Sequence, residues 1–323
     1  MSIDRVALGR TGIKVSEITL GTARFGRDPA EGGATRDTAH ALIDQYLDAG
    51  GNFIDTANVY SDGESERVIG DWLADNDRDD VVIASKIGLR GRDEPANVGG
   101  LHRRHLRREL ETSLERLGTE YLDVLFVHRW DEHTPVDEFM RTLTSFVDEG
   151  LVNYLGASHG KPNAWNVVHA NELAERQGLE PFRLTQMRYS LIRRELERNF
   201  IPMCEKFDLG VMPYRALAAG FLTGKYERDT EPPANSRAAR SEQFRDRYLT
   251  ERNFDILDTV REIATEVDAT PGQVALAWLL AQETVSTTIV GAYSSAQLEE
   301  NLGGAAVELA DDQVERLNST GDG

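Results

Sequence analysis

The chain has 323 residues, 40% of them hydrophobic, which is enough to bury a sizeable core in one large domain or two ordinary ones. Fifty-five Asp and Glu oppose 36 Lys and Arg, and the resulting net charge of -19 argues against nucleic acid as a partner. The single cysteine, Cys204, excludes a disulfide framework and a multi-thiolate metal site.

Eight short apolar runs alternate with longer segments along the chain. Their length, β-branched content and flanking glycines predict strands. In chain order, these strands are Glu17–Leu20, Asn52–Ile54, Val81–Ala84, Leu122–Val127, Val152–Gly156, Arg183–Gln186, Gly210–Met212 and Ser286–Val290. The segments between them carry apolar residues at helical spacing. They predict helices over Thr35–Ala49, Glu64–Leu73, His102–Leu117, Pro135–Asp148, Asn163–Gln177, Glu195–Phe207, Phe254–Val267 and Pro271–Ala281.

A strand followed by a helix, repeated eight times, predicts an α/β fold of the (β/α)8 TIM-barrel type. The alternative is an open doubly wound sheet, which usually carries Gly-x-Gly-x-x-Gly after its first strand, and the sequence has no such motif. Segments Glu94–Gly100 and Glu227–Arg240 have the composition of loops rather than of linkers, so we expect a single domain over residues 1–323.

Polar residues follow the predicted strands at their carboxyl ends, which meet around one mouth in a barrel. Asp55 and Tyr60 follow the second strand, Lys86 ends the third, and His128 follows the fourth. A buried lysine must find a partner or lose its proton, and Asp55 is the natural partner of Lys86. A purely structural ion pair between two strands is the other interpretation of these two residues.

Short motifs at these strand ends carry a family resemblance that extends from Leu8 to Asn301. They are Leu20-Gly21-Thr22, Phe53-Ile54-Asp55-Thr56-Ala57 with Tyr60, Ser85-Lys86, His128-Arg129-Trp130-Asp131, Leu155-Gly156-Ala157-Ser158, Leu217 to Gly224-Lys225-Tyr226, and Glu300-Asn301. The chain resembles the aldo-keto reductases, which are nicotinamide-dependent carbonyl reductases built on a (β/α)8 barrel. The resemblance implies a catalytic tetrad of Asp55, Tyr60, Lys86 and His128.

The implied reaction moves a hydride between NAD(P)H and a small aldehyde, ketone or sugar carbonyl, while a tyrosine supplies the proton. A free tyrosine has a pKa near ~10, and a neighbouring ammonium favours the phenolate. We therefore expect Lys86 to lower the pKa of Tyr60. His128, if neutral, is able to orient the carbonyl oxygen. Their positions after the first and fourth strands make Arg24, Phe25 and Trp130 candidates for the substrate pocket, although Trp130 could instead cap the barrel.

The resemblance further implies a set of contacts with the dinucleotide cofactor. They are Gly21, Thr22, Ser158, His159, Gln186, Tyr214, Arg215, Leu217, Gly220, Leu222, Gly224, Gly291, Gln297, Glu300 and Asn301. NADP is the family default, but residues 291–297 contain no Lys or Arg to hold its 2′-phosphate. We therefore predict a weakened preference for NADP and use of NAD, with Ser294, Ser295 or a distant arginine such as Arg237 as compensating groups.

Two other functions are considered. One is a nicotinamide-binding regulatory subunit with slow turnover, which the tetrad alone does not distinguish from an enzyme. The other is a metal-dependent hydrolase using His102, His105, His128 and Asp55. The arginines around His102 and His105 repel a cation, so we expect a solvated helix face there and no metal site.

The apolar runs, the N-terminus and the charge of the chain also predict the environment of the protein. The apolar runs are too short to span a bilayer, and the N-terminus lacks the pattern of a signal peptide, so we expect a cytoplasmic protein without membrane contact. Only five of the basic residues are lysines. An acid-rich, lysine-poor surface suits concentrated salt, where screening reduces self-repulsion, so we hypothesise a halophilic origin rather than an ordinary acidic protein.

Overall fold

The structure of the protein, a computed structural model, describes residues 3–89, 95, 97–159, 163–234 and 236–320, apart from the side chains of Glu31 and His159. Eight parallel strands form one continuous sheet, in which consecutive strands are neighbours and the last of the eight lies beside the first. They are β3 (Ile18–Gly21), β4 (Phe53–Asp55), β5 (Val82–Ile87), β6 (Leu122–Val127), β7 (Val152–His159), β8 (Phe182–Arg188), β9 (Gly210–Tyr214) and β10 (Thr288–Val290).

The sheet closes into a barrel between β9 and the segment that leads into β10. Val211 N donates to Thr284 O at 3.2 Å, and Ser286 N donates to Val211 O at 2.9 Å. These bonds join the two ends of the strand order, so the predicted (β/α)8 barrel is confirmed and the open doubly wound sheet is wrong.

Helices follow the strands and cover the outside of the barrel. They are α1 (Arg36–Asp48), α2 (Glu64–Leu73), α3 (Arg103–Leu117), α4 (Val136–Asp148), α5 (Ala164–Gln177), α6 (Phe200–Lys206), α7 (Arg237–Arg240), α8 (Glu242–Tyr248), α9 (Glu251–Glu266), α10 (Pro271–Leu280), α11 (Ser295–Leu302) and α12 (Asp311–Ser319). Local chemistry defines their ends, as at α10, where Thr270 and Gln273 form a capping box and Pro271 is the first helical residue. Among the helices in the described ranges, none is long and apolar enough to cross a membrane.

A two-stranded hairpin precedes the barrel and was not predicted. It consists of β1 (Arg5–Ala7) and β2 (Lys14–Ser16), which are antiparallel. Its Leu8 and Val15 pack into the barrel interior, in the same cluster as Phe53. Gly9 has φ +53°, and a Cβ there would lie 2.7 Å from Gly210 N, so glycine allows the hairpin to reach the start of β9.

Several predicted segments differ from the structure. The predicted helix Glu195–Phe207 breaks at Asn199, whose φ of -149° separates a 3₁₀ turn over Glu195–Arg198 from α6. The predicted loop Glu227–Arg240 ends in α7, and α8 and α11 were not predicted as helices. The predicted loop Glu94–Gly100 lies partly outside the described residues.

Candidate active site

Four polar side chains meet at the carboxyl end of the barrel. Asp55 ends β4, Lys86 is the penultimate residue of β5, and His128 follows β6 directly. Tyr60 begins a 3₁₀ turn five residues beyond Asp55. The structure therefore brings the predicted tetrad together, because parallel neighbouring strands deliver their ends to one edge.

Lys86 is the centre of this group. Its side chain is 0% exposed, and its Nζ donates to Asp55 Oδ2 at 2.6 Å, to Thr56 O at 2.8 Å and to Tyr60 Oη at 3.2 Å. Burial works to lower the pKa of Lys86, but Asp55 and Tyr60 together raise it above its ordinary value. Lys86 is therefore a charged ammonium whose three donors are all used.

Asp55 is held from two sides. Its Oδ2 accepts from Lys86, and its Oδ1 accepts from Gln186 Nε2 at 2.7 Å. Burial raises the pKa of Asp55, while Lys86 and Gln186 oppose that shift. Gln186, predicted as a cofactor contact, thus also fixes the carboxylate that orients Lys86.

Tyr60 differs from the prediction in its acidity. Burial raises the pKa of Tyr60 above its ordinary value, and the Lys86 ammonium only partly opposes this. The predicted net lowering of the Tyr60 pKa is wrong, because burial outweighs the field of Lys86 and the charge of Asp55 adds to the upward shift. Tyr60 is therefore fully protonated at neutral pH, which is the state that a proton donor requires.

His128 lies beside Tyr60, with ring centroids 5.9 Å apart and an angle of 85° between the ring planes. Burial lowers the pKa of His128 to about 3, with help from the positive charges of Lys86 and Arg129. Its Nδ1 is buried and has no hydrogen-bond partner among the described residues. His128 is therefore a neutral imidazole with unused hydrogen-bonding capacity.

The turn that carries Tyr60 has a strained backbone and is held by a contact from helix α3. Ser61 and Asp62 have φ values of 51° and 56°, in the left-handed region that costs non-glycine residues free energy. Arg116 of α3 donates from Nη1 to Asn58 O at 2.9 Å and contacts Glu66 at 3.2 Å. Arg116, which was not predicted from the sequence, therefore stabilises the turn from a neighbouring helix.

A cleft of about 480 Å³ opens at this end of the barrel, and we call it the mouth cleft. Asp55 and Tyr60 line it, together with Arg24. The predicted cofactor contacts that also line it are Gly21, Thr22, Gln186, Tyr214, Arg215, Leu217, Gly220, Gly291, Gln297, Glu300 and Asn301. The cleft falls within the usual size of small-molecule sites.

Other predicted residues lie elsewhere. Phe25, a candidate for the substrate pocket, is 1% exposed and belongs to the hydrophobic core, as does the fully buried Leu222. These two side chains therefore do not line the cleft, because they complete the packing beneath it. Trp130 packs its ring edge-on against Phe139 of α4, with centroids 5.1 Å apart, so it covers a helix rather than the cleft.

Two further predicted cofactor contacts, Ser158 and Gly224, are not among the described residues that line the cleft. Ser158 is buried in β7, where it pairs with Gln186 of β8. Gly224 lies beyond the cleft, and its carbonyl accepts from Arg261 Nη2 at 2.9 Å. His159 is the last residue of β7, and its side chain lies outside the described part of the structure.

Four cations line the cleft, and two of them, Lys225 and Arg237, lie in the chain beyond Gly220. Lys225 and Arg237 both line it, and Arg237 Nη2 donates to Tyr293 Oη at 2.9 Å. Burial lowers the pKa of Lys225, and the charge of Arg237 lowers it further while Glu300 opposes both. The sequence analysis named Arg237 as a distant compensating group and did not assign Lys225 or Tyr293 to the cofactor. The cleft therefore joins a buried phenol to several cations, which fits a phosphate-bearing dinucleotide.

The histidines at the start of α3 have structural partners. His105 is 3% exposed, and its Nδ1 lies 3.5 Å from Glu109 Oε1. His102 caps the helix by accepting from His105 N at 3.3 Å. The predicted solvated face is therefore wrong for His105. Over the described ranges, no three His, Cys, Asp or Glu residues are grouped to hold a metal ion, so the ligand set of the hydrolase alternative does not form.

Known proteins with similar sequences fall in the family that the strand-end motifs resemble. The family model described as the aldo/keto reductase family matches residues 17–322. The chain is 34% identical to norsolorinic acid reductase stcV of Emericella nidulans, over 98% of this chain and 81% of that protein. It is 33% identical to aryl-alcohol dehydrogenase GME11368 of Pestalotiopsis microspora, over 94% and 78%. It is 34% identical to aldo-keto reductase ausK of Aspergillus calidoustus, over 98% and 82%.

Proposed function

The chain belongs to the aldo/keto reductase family and is an oxidoreductase that reduces carbonyl groups with NAD(P)H, and we propose that Tyr60 donates the proton in this reaction. The supporting observation is the hydrogen bond of 3.2 Å from the buried Lys86 ammonium to Tyr60 Oη. When the phenol gives up its proton, this ammonium stabilises the phenolate that remains.

The other members of the tetrad have distinct tasks. Asp55 keeps Lys86 charged and aimed at Tyr60, and Gln186 keeps Asp55 in place. His128 is neutral, so it is able to donate a hydrogen bond to the carbonyl oxygen without adding charge to the site. The nicotinamide supplies the hydride when it is bound. Asp55 and Gln186 are positioning residues, whereas Tyr60 and His128 face the reacting atoms.

We propose that the mouth cleft holds the dinucleotide and that both NADPH and NADH are used, with a modest advantage for NADPH. The segment 291–297 has no cation, but Lys225 and Arg237 line the same cleft and are the groups suited to the 2′-phosphate. Tyr214, Arg215, Leu217 and Gly220 would hold the rest of the cofactor. An NADPH advantage of a thousandfold in kcat/KM would contradict the modest preference.

We propose an aldehyde, ketone or sugar carbonyl as substrate, with aromatic carbonyl compounds included. The relative named for aryl alcohols supports the aromatic class. The test is a panel of aliphatic, aromatic and sugar carbonyls, each assayed with NADH and with NADPH. Reduction of at least one class is expected, and no turnover of any compound in the panel would contradict the proposal.

We also propose that the protein works in concentrated salt. Its charge of -19 and its shortage of lysine support this environment.

A further inference from the structure

A second cleft, of about 440 Å³, lies next to the mouth cleft at the same end of the barrel. Arg215 lines both clefts, and the Arg188 guanidinium lies 5.8 Å from the ring centroid of Tyr214, which lines the mouth cleft. We call this second site the arginine cleft, because its lining includes Arg188, Arg193, Arg215, Arg247 and Arg252.

The charge of the arginine cleft is opposite to that of the whole protein. Glu195 is the one carboxylate among its described lining residues, and it is already paired with Arg193 at 2.7 Å. Within the part of the chain that the structure describes, Arg188, Arg215 and Arg247 form no ion pair with a carboxylate. Several unneutralised guanidinium groups in one cleft repel each other, and a bound anion removes that repulsion.

Arg188 shows the need for a partner most clearly. It is the last residue of β8, and its Nε is buried without a hydrogen-bond acceptor among the described residues. A buried donor of this kind costs free energy unless something satisfies it. Arg188 also lines the arginine cleft, so an anionic oxygen bound there would lie beside its guanidinium group.

The backbone at Arg215 adds a second sign of function. Its φ of 58° lies in the left-handed region, and its carbonyl accepts from Ala218 N at 2.8 Å. Non-glycine residues persist in this region where the surroundings enforce it, and such strain concentrates at binding sites.

The walls and size of the cleft indicate the class of ligand. Two N–H groups of one guanidinium donate to two phosphate oxygens, and a phosphate with nearly two negative charges is able to pair with several arginines at once. Ile192, Tyr189 and Tyr248 line the same space, so an organic body has apolar surface to lie against. We propose that the arginine cleft binds a small organic phosphate. This site is separate from the tetrad, and it does not depend on the roles proposed for Tyr60 and Lys86.

The test is calorimetric titration of the full-length protein at low ionic strength, with glucose 6-phosphate as the probe and glucose as its uncharged counterpart. We expect glucose 6-phosphate to bind and glucose not to bind. Arg247→Gln and Arg188→Gln should each weaken binding about tenfold, the size expected for one lost charge-assisted contact. Arg5→Gln, on the hairpin at the other end of the barrel, removes the same charge and should leave the affinity unchanged.

Three outcomes overturn the proposal. The first is equal affinity in wild type and in the Arg188→Gln/Arg247→Gln double variant. The second is inorganic phosphate binding as tightly as glucose 6-phosphate, since the organic part would then not be recognised. The third is loss of binding in Arg237→Gln alone, which would place the phosphate in the mouth cleft. Steady-state inhibition kinetics then distinguish two kinds of ligand. If glucose 6-phosphate competes with the carbonyl substrate, the bound phosphate is part of the substrate; if it does not compete, the phosphate belongs to a separate effector.

Discussion

The Lys86 ammonium stands between Asp55 and Tyr60, 2.6 Å from the carboxylate and 3.2 Å from the phenol oxygen. Burial raises the pKa of Tyr60 above its ordinary value, the charge of Lys86 opposes that shift, and Asp55 partly offsets the effect of Lys86. These three residues therefore keep the phenol protonated and stabilise the phenolate that forms when it gives up its proton. With Tyr60 as the proposed proton donor, we expect carbonyl reduction to be faster at neutral pH than the reverse reaction, in which Tyr60 would act as a base.

Lys86→Met should lower the free energy of unfolding by about 3–5 kcal/mol, because Asp55 would remain buried without its counter-ion. The double variant Asp55→Asn/Lys86→Met should recover most of this loss and still be inactive. Chemical denaturation measures the first effect and aldehyde reduction the second. Lys14→Met, at an exposed position of β2, is the matched control. A Lys86→Met protein as stable as wild type would show that the pair is not coupled.

The pH profile of carbonyl reduction should be flat over the neutral range. His128 has a pKa lowered to about 3 and Tyr60 has a raised pKa, so neither changes its protonation between about pH 5 and about pH 9. Oxidation of the corresponding alcohol should instead accelerate as the pH rises, since Tyr60 must then accept a proton. An inflection near the ordinary histidine pKa in kcat/KM for reduction would contradict the burial of His128.

Arg237→Gln should reduce kcat/KM for NADPH by about tenfold or more, because a charge-assisted hydrogen bond contributes about 1.5–3 kcal/mol. The value for NADH should change by less than about threefold, since NADH has no 2′-phosphate. Arg240→Gln is the control, because Arg240 lies on the same short helix α7 and does not line the mouth cleft. Equal losses with both cofactors would remove Arg237 from recognition of the 2′-phosphate.

Thermal melting should respond strongly to KCl. At low salt, the charge of -19 opposes the compact state, and added ions screen that repulsion. We expect the Tm to rise as KCl increases from dilute to molar concentrations. Greatest stability in dilute buffer would contradict a halophilic protein.

Much of the fold could be predicted from the sequence. The strands of a (β/α)8 barrel are buried on both faces and therefore appear as short apolar runs. Lys86 was prominent because a charge at the end of such a run needs a nearby partner. Asp55 and His128 followed from the rule that carboxyl ends of parallel strands share one mouth.

The missed features depend on contacts between distant segments. Arg116 supports Asn58 across 58 residues, and Arg237 meets Tyr293 across 56, so no local pattern reveals either contact. The acidity of Tyr60 depends on how deeply it is enclosed, which composition does not indicate. Phe25 was misplaced because its neighbour Arg24 faces the cleft while the phenyl ring turns into the core.

The most direct test of the account is the single-turnover rate of aldehyde reduction by Tyr60→Phe with bound NADPH. Removing a general acid typically costs about 10²–10⁴-fold in rate, so we predict a loss of that size with the NADPH Kd unchanged. Tyr121→Phe removes a hydroxyl whose partner is Asp79, outside the cleft, and should keep the wild-type rate. A Tyr60→Phe protein that reduces the aldehyde at the wild-type rate would contradict the assignment of Tyr60 as the proton donor.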